Sequence, residues 1–99
     1  ELRWADLSET ESAAVVASLA DSTNAAGPEA AAAKELVDQV LAGLDAEDAV
    51  LIRLHDLDER TLNDTATTLG WSLSWTKWKL ARARGRVRAM LERLLGGRK

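Results

Sequence analysis

The sequence predicts an all-α fold, a small helical bundle of short helices ending on one long helix. Three observations carry this. The apolar 46 % of the 99 residues is dominated by aliphatic side chains and Ala, with Phe and Tyr absent. Val, Ile and Thr are scattered rather than alternating, so no strand period shows. Apolar residues instead return at steps of three and four, the spacing of a helix face. The length suits one small domain. No apolar run approaches the roughly 20 residues of a membrane span, and no basic-then-apolar leader is present. The absence of Cys rules out disulfide and thiolate chemistry and fits a cytoplasmic setting. A start at Glu1 rather than Met suggests a piece of a longer chain.

Residues 1–27 read as an acidic linker with one short helix between Trp4 and Ala20. Ser8 and Glu11 form an S-x-x-E capping box ahead of Ala13, Ala14, Val15, Val16 and Leu19. The small, polar stretch from Asp21 to Gly27 reads as connection. Residues 28–99 read as the folded domain. Pro28 is preset for a first helical position, and Glu29 complements the positive helix end. Leu36, Val37, Val40, Leu41 and Leu44 then give a helix of Pro28 to Ala42, weakened at Gly43. Asp45 with Asp48 caps the next helix, whose stripe is Ala49, Val50, Leu51 and Leu54. It fades over His55 to Arg60. Thr61 with Asp64 caps a short helix carrying Leu62, Ala66 and Leu69. Gly70 permits a sharp turn, and Ser72 caps the last helix.

In that last helix Leu73, Thr76, Leu80, Ala83, Val87, Leu91 and Leu94 share one face. At about 100° per residue, Trp75, Trp78, Arg82 and Arg86 fall opposite, with Lys77 and Arg84 at the borders. A short helix, a Gly turn and a longer helix make the helix-turn-helix plan, in which the second helix is the recognition helix. The fit is physical: a major groove about 12 Å wide admits one helix, and base edges offer donors and acceptors there.

Charge points the same way. Residues 1–50 hold eleven acids against Arg3 and Lys34, a net −9. Residues 74–99 hold nine bases against Glu92, a net +8. That asymmetry predicts a polyanionic partner for the basic end. Basic residues also complement a helix C-terminus, but this accounts for the last turn only.

The stretch Leu69-Gly70-Trp71-Ser72, followed by Lys77, Leu80 and Ala81-Arg82-Ala83-Arg84, resembles the C-terminal domain (region four) of bacterial RNA polymerase sigma factors, nearest the extracytoplasmic-function group. Upstream, Pro28-Glu29-Ala30-Ala31-Ala32 and the run Leu44 to Leu51 are similar to the same family. The resemblance spans Pro28 to Leu95. It implies a promoter-recognition domain of transcription initiation whose last helix reads the element about 35 base pairs upstream of the start. It also implies docking on the β-subunit flap of the polymerase core and, in many members, an anti-sigma protein. Residues 1–27 would match the variable linker between sigma domains.

Several positions depart from the family. Thr65, Thr76 and Trp78 stand where Ile, Val and a small residue are usual, Arg60 replaces Leu, and Trp75 replaces a small Thr. Two buried hydroxyls each need a partner or cost about 1–3 kcal/mol. A Trp meets a thymine methyl or packs on sugar, but its single N–H makes no bidentate base contact.

The expected DNA contacts are therefore Ser72, Ser74, Trp75, Lys77, Trp78, Lys79, Arg82 and Arg86. The bases neutralise phosphates, and Arg82 reads a guanine. Ser72 and Ser74 donate to phosphate at the helix N-terminus, although Ser72 serves equally as a cap alone. The alternative for the basic ridge is a solvated helix face. Four to five neutralised phosphates predict a log–log salt slope of about −4.

Trp75 and Trp78 form a patch for DNA, for an anti-sigma protein or for the chain's own N-terminal segment. Trp71 is expected in the core. His55 reads as an ordinary surface residue. Asp56-Leu57-Asp58 fails as a calcium loop, because Arg60, Thr61 and Thr67 fall where an oxygen ligand, Gly and Glu are needed. With no nucleophile elbow, Walker loop or dinucleotide pattern, neither catalysis nor a cofactor is expected. The rival reading is a sigma-like protein-interaction module that docks a regulator or polymerase without reading DNA. Another helix-turn-helix regulator, of the response-regulator output type, shares the Gly turn but lacks the long basic last helix.

Overall fold

A computed structural model describes residues 2–96, with side chains from Glu9 onward. Trp4's side chain and the basic residues Arg98 and Lys99 lie outside that description. The described residues are helical and contain no strand, the all-α bundle that the apolar spacing predicts.

The first helix, α1 (Leu2–Thr23), is much longer than the short helix expected in a linker. Ser8 lies inside it, so the S-x-x-E pattern is not its start. Burial explains the extension. Ser12, Val16 and Ala20 recur at steps of four and are 2 %, 2 % and 7 % exposed, so α1 has a face to bury along the bundle. Thr23 Oγ1 donates to the Ala20 carbonyl at the last turn. Only a short connection, with Gly27 at φ 92°, separates α1 from the next helix.

Helix α2 (Pro28–Ala42) has the predicted bounds, with Pro at its start, because both signals are local. It buries Val37 and Val40. Helix α3 (Ala46–Leu51) follows Asp45 and runs into a π-helical turn, Ile52–Leu57. Asp45 occupies the cap position, yet its side chain makes no capping bond. Val50, expected in the buried stripe, is 43 % exposed; Leu51 and Ile52 are the buried pair. The wide turn ends with Asp58 N–H donating to the Arg53 carbonyl and Arg60 N–H to that of Leu54. His55 is tied into this turn: its Nδ1 lies 2.7 Å from the Arg60 carbonyl. A carbonyl only accepts, so Nδ1 carries the proton.

Helix α4 (Leu62–Leu69) is capped as predicted, Thr61 Oγ1 accepting from Asp64 N–H at 3.0 Å. Gly70 then takes the left-handed conformation, φ 74°, ψ 28°. Trp71 N–H reaches the Ala66 carbonyl and Gly70 N–H that of Thr67. This is a Schellman termination, which needs a residue tolerant of positive φ. Ser72 caps α5 (Leu73–Leu91), its Oγ accepting from Trp75 N–H at 3.1 Å. A second π-helical turn, Glu92–Gly96, follows.

Helix α5 is the pole of the bundle and touches every other α-helix. Its Leu80, Ala83, Val87 and Leu91 join Val16, Val40, Leu51 and Ile52 in one core, with Trp71 packed partly buried against it. Thr65 and Thr76 are fully buried. Their hydroxyls donate to the carbonyls one turn earlier, Thr65 to Thr61 at 2.9 Å and Thr76 to Ser72 at 2.7 Å. Neither hydroxyl is thus an orphaned donor.

Candidate nucleic-acid interface

The predicted face of α5 holds over its middle but not at its ends. Leu73 is 44 % exposed, although Thr76 in the same turn is fully buried. Leu94 is 49 % exposed. The π-helical turn from Glu92 widens the spiral there and rotates Leu94 off the α-helical register.

On the outward side of the first turns stand Ser74, Trp75, Lys77, Trp78 and Arg82, all exposed. The two indoles stack on each other, centroids 5.1 Å apart and planes 28° from parallel. Arg82 lies over the Trp78 ring at 4.9 Å, and Lys79 Nζ is 5.8 Å from the Trp75 centroid. Steps of three and four along a helix face bring these four side chains into one column. Ser72 is committed to its cap, though its hydroxyl hydrogen remains available.

Lys79, among the expected DNA contacts, is paired within the bundle. It is only 7 % exposed, because it lies three residues after Thr76 and four before Ala83, at the border of the buried stripe. Its Nζ is 3.1 Å from Glu47 and 3.4 Å from Asp48. Arg86 is likewise engaged, its Nη1 donating to Asp48 Oδ2 at 2.7 Å and to Asp45 Oδ2 at 3.2 Å. Lys79 is unavailable to phosphate while these pairs stand, and the Arg86 charge is offset by two carboxylates. Arg84 forms a two-bond fork with Asp56, and Arg88 pairs with Glu11. Among the described residues Lys77 and Arg82 make no ion pair.

Asp48, which the sequence predicts as a capping partner at the start of α3, is 1 % exposed and faces α5. Its Oδ1 has no hydrogen bond of good geometry, and Lys79 is its ionic partner. A signal was present in the opposite charges of the two halves. Part of that asymmetry is internal, since acids of α1, of the α3 start and of the following turn hold bases of α5.

The described part of α1 does not cover the indoles, which remain 44 % and 50 % exposed. It lies along the other end of α5, where Glu11 meets Arg88. Among the described residues, then, none of the N-terminal segment occupies the Trp patch. No group of three or more His, Asp or Glu suited to a metal occurs among the described residues. No helix among them is long and apolar enough to cross a membrane. Compared with known proteins, the chain matches no family model, no curated protein and no solved structure.

Proposed function

We propose that the chain is a DNA-reading module of transcription initiation, of the kind its resemblance to sigma region four implies. In this reading α5 enters the major groove by its first turns. Promoter DNA is the partner, the element about 35 base pairs upstream of the start the target, and the β-subunit flap of the polymerase core and an anti-sigma protein the protein partners. The observation that carries it is the exposed outer side of the start of α5. Directly behind the Gly70 turn, Leu73, Ser74, Trp75, Lys77, Trp78 and Arg82 are all exposed. A long helix rarely leaves its amino end bare with two indoles on it, since so much apolar surface gains from being covered.

The contact set narrows to Ser74, Trp75, Lys77, Trp78 and Arg82, with Ser72 as cap and phosphate donor. Lys77 and Arg82 supply charge to phosphate or a guanine edge. Fluorescence anisotropy of a labelled promoter duplex at low salt tests this. The native chain binds, and Lys77→Ala with Arg82→Ala abolishes binding while leaving the helical circular dichroism unchanged.

A second reading has its own support. With Lys79 and Arg86 neutralised by α3, the exposed column is more aromatic than basic, which suits a protein hot spot. No binding of the native chain to any duplex at low salt selects that sigma-like docking module.

A further inference from the structure

We infer that the stacked Trp75–Trp78 pair makes this chain select thymine, taking the C5 methyl groups of thymines on the major-groove floor. The inference rests on the duplex-reading proposed above and adds what the site prefers.

Three observations lead there. First, the two indoles are the exposed bulk at the start of α5, and each already has its polar neighbour over the ring, Lys79 for Trp75 and Arg82 for Trp78. An indole has one N–H donor and no acceptor. Set against base edges, the pair therefore answers few of their donors and acceptors. Second, Lys79, 5.8 Å from the Trp75 ring, is spent on Glu47 and Asp48, so it cannot serve polar edges beside that ring. Third, the two rings lie together, centroids 5.1 Å apart, so they present one continuous apolar surface rather than two isolated ones.

In the major groove the apolar group a base pair offers is the thymine methyl. A G·C pair set against an indole loses water from its polar edges and receives no partner in return, which is costly. A thymine methyl against the same ring gives apolar contact that offsets the partial covering of its O4 neighbour. The selectivity thus comes as much from what the indoles exclude as from what they attract. Arg82, held 4.9 Å over Trp78, is left as the polar reader at the end of the column.

Replacing thymine by uracil removes only the methyl and tests this directly. A duplex pool with a randomised core is amplified with either dTTP or dUTP, and the two pools compete for immobilised native chain at low salt. The thymine pool should be retained about fourfold over the uracil pool for each methyl buried. In the Trp75→Ala, Trp78→Ala variant, both positions being exposed, the ratio should fall to about one with the fold intact by circular dichroism. Equal retention of both pools by the native chain overturns thymine selection but leaves duplex reading standing. Retention of neither pool overturns both.

Discussion

Asp48 holds two bases of another helix from a position that leaves it 1 % exposed to water. Such an arrangement is kept by pairing alone, since a buried carboxylate or ammonium without its partner costs several kcal/mol. Asp48→Ala should therefore lower the unfolding free energy by about 3 kcal/mol in urea denaturation. Replacing the buried pair by apolar residues, Asp48→Leu with Lys79→Met, should recover most of that loss, because no buried charge is then stranded and the more exposed Arg86 keeps Asp45. The double variant should also keep its duplex affinity within about twofold, since Lys79 lies outside the contact set. A loss under about 1 kcal/mol for Asp48→Ala would mean that water reaches Lys79 and Arg86 readily. Residue identity alone pointed elsewhere, because Asp two or three places into a helix is a common N-terminal feature. What decided its role was α5, 38 residues away. Thr65 and Thr76 show the opposite case: their need for a partner was legible, and the partner proved to be the carbonyl one turn back.

At the scale of elements, the legible features are those whose causes are local. The start of α2 at Pro28, the Thr61 and Ser72 caps and the Gly70 turn each depend on a few adjacent residues. Gly70→Ala should cost about 1–2 kcal/mol, the penalty of a Cβ in the left-handed region; open space surrounds that position, so the cost is conformational rather than steric. Ser72→Ala should cost about 1 kcal/mol through the lost cap. Both are read from urea denaturation, and Gly70→Asn, which tolerates positive φ better, should be milder than Gly70→Ala. Equal stability of all three with the native chain would remove the turn from the account. The π-helical turn of Ile52–Leu57 was not legible, nor was the length of α1. Both are set by packing: α1 runs on because its Val16 and Ala20 find α2 and α5, a tertiary gain that capping patterns do not report.

For the whole molecule, the acidic first half serves the basic last helix as an internal counter-charge as well as a solubilising surface. Helix α1 belongs to the same core, so Val16→Ala should destabilise by about 2 kcal/mol and do so within a single unfolding transition. An early, separate transition on changing Val16 would show that α1 is only loosely attached. The candidate interface was legible in its location, since helical spacing put both indoles and Arg82 on the outer side of α5. Its charge was overestimated, because spacing along one helix says nothing of acids on another. Salt dependence weighs these points together. With Lys77 and Arg82 as the neutralising bases, log affinity for a promoter duplex against log salt should fall with a slope of about −2. A slope near −4 would mean that Lys79 and Arg86 leave Asp45, Glu47 and Asp48 to meet phosphate, and a flat response would mean that α5 does not bind DNA.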